Sequence, residues 1–427
     1  MQRAGVIPHN WGVAIFGKTS IYVVPLNMKD RHSYTIQQGR TTMKKILIRT
    51  AITLGCLILI ILILLAYWYF RPNRAQVSPD LGIESWVAVG DGKHNSNTDM
   101  IYWKGSFYMI HASAPWHFAS ETTRLILWRS KDARDWDEIA SFQNPGEDIR
   151  DPKFTIIGNR LFLYFLKNKN FPAAEPYWTL GTSSTDGVNW EPYFEVGHDG
   201  WLWWRPKTRD GKTWYVAAYW HEHGKSILLK TTDGRKWEKV SNIYEGGFND
   251  ETAIEFFPDG RMIVTARLEV VEELLGYYFG DSKGNTLIAV ARPPYTRWTE
   301  HHSYLTRLDG PYLFPYKDQI YAIGRYEPIP KFQDTGSILN RKRTSLYLLA
   351  EDRLLHLSDL PSAGDTSYPG VVRRGDDIYV SYYTSRIDRD YPWALGMIMP
   401  SDIMMAKIDM RSVEALAKQA LAKESGR

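Results

Sequence analysis

Six polar residues recur at the entries to a repeated strand pattern: Asp99, Arg150, Asp151, Arg205, Glu251 and Tyr368. Carboxylates and guanidinium groups gathered around one pocket would grip an anionic or polyhydroxylated ligand through charge-assisted hydrogen bonds. Carboxylates held there can also pass protons to or from a reacting oxygen. The same residues could instead pair with one another and satisfy the strand ends of a solvated channel. Nearby, WLWWRP (201–206) supplies either a stacking surface for a flat ligand face or a core aromatic cluster.

These entries belong to a unit that returns about every 50 residues, as TDMIYWKGSFYMIHA (98–112), RDPKFTIIGNRLFLYF (150–165) and RPKTRDGKTWYVAAY (205–219). It continues as ETAIEFFPDGRMIVTAR (251–267), GPYLFPYKDQIYAIGR (310–325) and YPGVVRRGDDIYVSYY (368–383). Each copy is a strand, a tight turn such as K-G, G-N or D-G, and an aromatic strand, which is hairpin chemistry. The spacing leaves room for about four strands per copy, the blade of a propeller. The expected fold is therefore all-β, a six-bladed β-propeller whose innermost strands bring the entry residues to a common cavity. SWVAVGDG (85–92) can add the outer strand of the last blade and close the ring, and RSVEALAKQALAKES (411–425) reads as a helical tail packed outside.

A second repeat lies after the third strand of three copies: SKDARDW (130–136), STDGVNW (184–190) and TTDGRKW (231–237). An Asp in such a turn accepts hydrogen bonds from its own backbone amides, while the Trp packs between neighbouring sheets. A fourth stretch, ARPPYTRW (291–298), keeps only Trp298. The turns are expected on the rim away from the channel, as a folding device.

The chain has 427 residues, enough for a large core, and its 14% aromatic content with 17 Trp and 26 Tyr favours β architecture. A formal charge of +4 with no basic cluster in the body argues against nucleic acid as a partner. The single cysteine, Cys56, excludes an internal disulfide framework and a cysteine-based zinc site. No cofactor or metal is expected. His94, His111, His117, His221 and His223 are scattered or loop-borne, and HEH (221–223) lacks a zinc-site continuation.

The stretch from Thr50 to Phe70 carries no charge and is long enough as a helix to cross a bilayer core of roughly 30 Å. Lys44, Lys45 and Arg49 precede it and Tyr67, Trp68 and Tyr69 mark an interfacial belt, so residues 46–70 read as an uncleaved signal anchor. The expected organisation is a disordered or cytoplasmic segment 1–42, the anchor 46–70, a linker 71–82, the propeller 83–410 and the tail 411–427. The propeller is expected outside the cytosol, in the periplasm or extracellular space, on a single-pass anchor.

The repeated S/T-x-D-G-x-x-W turn within this frame resembles the Asp-box (BNR repeat) of sialidases and related propellers, over approximately residues 85–410. Sialidases use a tyrosine nucleophile, a glutamate that activates it, an arginine triad and an aspartate acid/base. On that resemblance Tyr368 in DTSYPGVV matches the nucleophile and Glu251 its partner. Arg267 matches the second triad arginine and Arg343 the third, with Arg325 competing for that role. The place of the first arginine reads NTDMI, with Asn97 or Thr98 there instead, and the acid/base position offers Glu121. The implied activity is that of an exo-acting glycoside hydrolase on a glycan that can carry an acidic group. Tyr368 would attack, Glu251 would polarise it, and Glu121 or Asp151 would act as acid/base. Arg267, Arg343, Arg325, Arg205, Arg150 and Asp99 would line the substrate site. IRDPKF also resembles the RDP element of furanosidase propellers, in which Asp99, Asp151 and Glu251 would form a carboxylate triad. A non-catalytic carbohydrate- or protein-binding propeller is the alternative from another class.

Overall fold

The computed structural model describes residues 11–15, 21–25, 28–70, 74–168, 178–269, 272–274, 277–279, 284–328 and 338–425. The chain divides into two compact units, Met1–Arg71 and Pro72–Arg427. The first holds two paired strands, Trp11–Ile15 and Ile21–Pro25, and helix α1, Met28–Phe70. Within α1, Arg40–Tyr67 is long and apolar enough to cross a membrane.

The second unit is a ring of antiparallel sheets in a propeller arrangement. Four sheets stand separately, spanning residues 148–195, 201–245, 249–303 and 312–359, each with four or five strands. The strands from 84–142 and 366–409 form one eight-stranded sheet, and Glu272–Leu274 pairs with Tyr277–Phe279 in a two-stranded one. This corrects the expectation of six separate blades. A single parallel pairing, Ser401 with His94, fuses the two strand groups where the ends of the domain meet. Glu84–Val89 adds antiparallel to Ser401–Asp409, so the start of the unit completes its last strands.

Six strands matter for the site: β1 (His94–Trp103), β2 (Asp148–Ile157), β3 (Trp201–Trp203), β4 (Asn249–Phe256), β5 (Tyr312–Tyr316) and β6 (Thr366–Arg374). β2 lies against β1, β1 against β6, β6 against β5, and β5 against β4. Each begins a sheet's inner hairpin, and apolar clusters fill the spaces between sheets. One such cluster joins Ile157, Phe162 and Tyr164 to Trp203, Trp214 and Trp237. The C-terminal helix α2, Met410–Ser425, buries Met410, Val413 and Ala417 at helical spacing, and Asp409 accepts the Arg411 amide at its start.

The Asp turns join the third and fourth strands of their sheets. In the third turn, Asp233 Oδ1 accepts the amides of Arg235 (2.8 Å) and Lys236 (2.9 Å), and Thr231 Oγ1 accepts that of Gly234 (3.0 Å). Asp132 and Asp186 repeat the pattern with Arg134 and Asp135, and with Val188 and Asn189. Gly234 has φ +77°, and a Cβ there would stand 2.7 Å from Ile157 Cδ1 of the preceding sheet. Tyr164, also from that sheet, donates its hydroxyl to the Gly234 carbonyl (2.7 Å), and Trp237 buries beside it. The turn therefore clamps one sheet onto the next. TRDGKTW (208–214) has the same pattern and the same bonding, Asp210 Oδ1 accepting the Lys212 and Thr213 amides at 2.9 Å, but it sits inside a hairpin.

Asp233→Ala removes the acceptor of two turn amides and is expected to cost about 1–3 kcal/mol. Urea unfolding of the variant checks this, the expected outcome being a lower midpoint with an unchanged slope.

Candidate functional site

Four of the inner strands carry the same irregularity. Register breaks between Ser96 and Asp99 in β1, Arg150 and Lys153 in β2, Asp250 and Ala253 in β4, and Ser367 and Gly370 in β6. In each, two residues oppose one on the partner strand, which is a β-bulge. The first residue of every bulge is left-handed although none is glycine: Asn97 (φ 49°), Asp151 (φ 53°), Glu251 (φ 31°) and Tyr368 (φ 49°). A bulge re-aims a side chain, and such backbone persists only where its surroundings hold it.

Hydrogen bonds tie the bulges together. Asn97 Nδ2 donates to Asp151 Oδ1, and Thr98 Oγ1 donates to the Tyr368 carbonyl (2.8 Å). The Tyr368 hydroxyl donates to Glu251 Oε1, and the Gly310 amide donates to Glu251 Oε2 (2.6 Å). Gly310 is left-handed (φ +61°), and a Cβ on it would stand 2.7 Å from the Tyr368 ring. Glycine there lets the backbone reach both the carboxylate and the ring.

Burial sets the protonation of this pair. It drives the Glu251 carboxyl up to about 7, against the pull of Arg267 and with the push of Asp250 and Asp309. Burial, then the charge of Glu251, holds the Tyr368 phenol well above its ordinary value. Near neutrality Tyr368 is thus a neutral donor poised on a carboxylate that can take its proton. Beside it, burial lowers the Lys153 ammonium to about 8 although Asp151 opposes this, and Lys153 stacks on Trp204.

The arginines are already engaged. Arg267 chelates Asp250 through Nε and Nη2, with Nη1 3.2 Å from Glu251 Oε1 and Nη2 3.4 Å from Glu269 Oε1. Arg325 bonds Asp309 (3.1 Å), the Thr366 carbonyl (2.9 Å) and the Tyr383 hydroxyl (2.9 Å), and its guanidinium lies 5.4 Å from the Tyr368 ring centre. Arg307 pairs with Asp309 at 2.8 Å. Burial alone would raise Asp309, but Arg307, Arg267 and Arg325 hold it far below the carboxylate range.

The structure thus brings Tyr368, Glu251, Arg267 and Arg325 together, with Asp151 on the adjoining bulge. Arg343 is fully buried and pairs instead with Asp390 (2.9 Å). Asp99 directly follows the bulge, two residues past Asn97, and is buried, accepting the amides of Met100 (2.8 Å) and Phe154 (2.6 Å) and pairing with Arg205 (2.8 Å). Arg150 bonds Asp148 and the His117 carbonyl (3.1 Å). Glu121 is exposed in a turn, and among the described residues no hydrogen bond joins its carboxylate to the Tyr368–Glu251 pair. In WLWWRP, Trp203 and Trp204 are buried; Trp204 donates to the Pro311 carbonyl (2.8 Å) with its ring centre 6.0 Å from that of Tyr368.

Sequence reasoning did not single out Asp250, Asp309 or Asp365, which neutralise the arginines, or Arg307, which pairs with Asp309. The D-E in FNDET and the R-x-D of TRLDG were the available signals, and both lie beside hairpin entries. Among the described residues, two clusters could hold a cation by geometry, His94–His117–Asp365 and His223–Asp250–Glu269.

No family model and no curated protein matches the chain. Solved structures do. A protein of unknown function from Dyadobacter fermentans aligns at TM-score 0.58 and 15% identity, over 77% of this chain and 99% of that one. A Trypanosoma rangeli sialidase mutant with trans-sialidase activity aligns at TM-score 0.58 and 12% identity, over 81% of this chain and 61% of its own. The endosialidase of phage phi92 aligns at TM-score 0.56 and 10% identity, over 77% and 69%. At these identities the likeness establishes the fold: the second unit is a β-propeller of the kind seen in sialidases.

Proposed function

We propose that the protein is a glycoside hydrolase in which Tyr368 is the nucleophile and Glu251 its base. The observation that carries this reading is the hydrogen bond from the Tyr368 hydroxyl to Glu251 Oε1 between two facing bulges, beside Arg267 and Arg325. The phenol would attack the anomeric carbon as Glu251 takes its proton, giving a glycosyl-tyrosine intermediate and expelling the leaving alcohol. Asp151, whose Oδ1 accepts from Asn97, would protonate the leaving oxygen and then activate water for the second step. The eight-stranded sheet then counts as two blades joined by one bridge, giving six, and the Asp turns count as Asp-boxes. Helix α1 would anchor the propeller on the extracytoplasmic side, where glycans are found.

The charge balance favours a neutral glycan over a sialoside. Asp250, Glu251, Glu269 and Asp309 already surround Arg267, and Asp309 with Asp365 holds Arg325. A substrate carboxylate would have to displace one of these. Burial and the same crowding favour a phenol as nucleophile, because a further carboxylate there would be pushed towards its protonated form, as burial first and then Asp250 and Asp309 push Glu251 up to about 7.

Tyr368→Phe is expected to lower kcat by about 10³-fold or more, while glycan affinity changes less than about tenfold. Assays of the full chain in detergent on neutral pyranosides, sialosides and furanosides test both claims. Undiminished turnover in the variant sinks the mechanism, and preference for sialosides sinks the neutral-substrate reading. Saturable glycan binding with no turnover of any glycoside in the wild type would favour the binding propeller instead.

The pH dependence follows from Glu251. The base must be ionised, so kcat/KM should rise with pH through about 7. For stability the sign is opposite. The folded-state value lies above the ordinary carboxyl value near 4.5, so the folded state holds this proton more tightly than the unfolded one, and stability falls as pH climbs from there through about 7. Glu251→Gln should therefore be inactive yet raise the unfolding midpoint at pH 8, with little difference at pH 4. Equal midpoints at both pH values would refute the assignment.

A further inference from the structure

Three side chains far apart in sequence meet where the first and last strands of the ring join. His94 opens β1, His117 lies in the loop after the next strand, and Asp365 immediately precedes β6. His94 Nε2 is 3.2 Å and His117 Nδ1 is 2.7 Å from the same atom, Asp365 Oδ2. We propose that His94 Nε2, His117 Nδ1 and Asp365 Oδ2 form a binding site for a divalent transition-metal ion, of which Zn²⁺ suits the donor set best.

The tautomer of His94 carries the argument. Its Nδ1 lies 2.8 Å from the Met399 carbonyl oxygen, which can only accept, so Nδ1 bears the hydrogen. In the neutral ring Nε2 is then a lone pair. That atom is fully buried, makes no hydrogen bond and faces a carboxylate oxygen. Two acceptors turned towards each other in a dry site repel, and a cation between them removes the conflict. The carboxylate is oriented from behind: Asp365 Oδ1 accepts from Trp393 Nε1 (2.7 Å), the Tyr383 hydroxyl (2.9 Å) and Arg325 (3.3 Å). A backbone carbonyl on one histidine and donors on the unused carboxylate oxygen are the outer supports that metal ligands characteristically have. His117 Nδ1 hydrogen-bonds Asp365 Oδ2 in this structure, so an ion would take the place of the shared proton, as metal binding at a histidine does, and the His117 side chain is 21% exposed. Two imidazoles and one carboxylate with an open position is a zinc-type donor set.

The second cluster, His223–Asp250–Glu269, serves as an internal contrast. There the Arg267 guanidinium already bridges Asp250 and Glu269, and His223 lies 3.1 Å from Glu269 Oε2, so protein cations fill the place of an ion.

The test uses the untagged full chain in detergent, stripped with a chelator, then titrated with ZnCl₂ by calorimetry and assayed for bound metal. The expected result is about one Zn²⁺ per chain with a dissociation constant below about 10 µM, weakened about 100-fold or more in His117→Ala and unchanged in His223→Ala. His117 is partly exposed, so its removal should leave the fold intact, which circular dichroism verifies. Wild-type binding weaker than about 10 µM, or binding that His117→Ala leaves unchanged, would overturn the site and leave a proton as the cation between His94 and Asp365.

Discussion

One backbone device, a two-for-one bulge with a left-handed non-glycine residue at its head, underlies the site. It occurs in β1, β2, β4 and β6 and carries Asn97, Asp151, Glu251 and Tyr368. A regular strand would alternate side chains between its two faces and could not turn these residues along the strand towards their neighbours. Left-handed backbone at such residues costs about 1–3 kcal/mol each. The bonds from Asn97 to Asp151, Thr98 to Tyr368 and Tyr368 to Glu251 run from bulge to bulge, and with that from Gly310 to Glu251 they offset it. No single bulge is held by its own strand alone, so the four are geometrically interdependent.

The electrostatics follow from that convergence. Bringing Asp250, Glu251 and Asp309 into a buried space is tolerable only with cations among them, and Arg267, Arg307 and Arg325 are those cations. Burial pushes both carboxyls up, and their neighbours then divide them. Asp309, met by three guanidiniums, is held ionised, whereas burial drives Glu251, with only Arg267 against two other acids, up to about 7. Two carboxylates in one cluster are separated into a permanent anion and a proton acceptor, which is the division that acid–base chemistry at neutral pH requires.

What was legible in the sequence was local. Hairpins announced themselves through turn residues and aromatic alternation, and Asp-x-x-x-Trp turns are complete within seven residues, so both could be read before any packing was known. The bulge could not, because its extra residue shows only against a partner strand. That is why Asp99 was aligned with Asp151 and Glu251, whereas the bulge places Asn97 there and turns Asp99 onto backbone amides. Arg325 and Arg343 were indistinguishable by spacing. Their difference lies in partners, Asp309 for one and Asp390 for the other, that only the packed chain supplies. The same holds for His94, His117 and Asp365, which no short motif connects.

Outer turns and inner bulges do complementary work. Each Asp turn pins its sheet to the preceding one, as Gly234 and Trp237 do against Ile157, Phe162 and Tyr164. Strain at the centre can persist because the perimeter prevents the sheets from sliding to relieve it. At one junction the chain must close on itself, with Ser401 pairing His94 by a single bridge and Glu84–Val89 completing the last strands. There the polar cluster of Asp365 takes the place of a turn: it gathers His94 from β1, His117 from the loop and Trp393 from the segment before the final strand. Through Arg325 the same carboxylate reaches the guanidinium beside the Tyr368 ring. One buried aspartate thus touches both the junction where the ring closes and, through Arg325, the surroundings of the central tyrosine, so a cation bound at that junction would sit two contacts from the site.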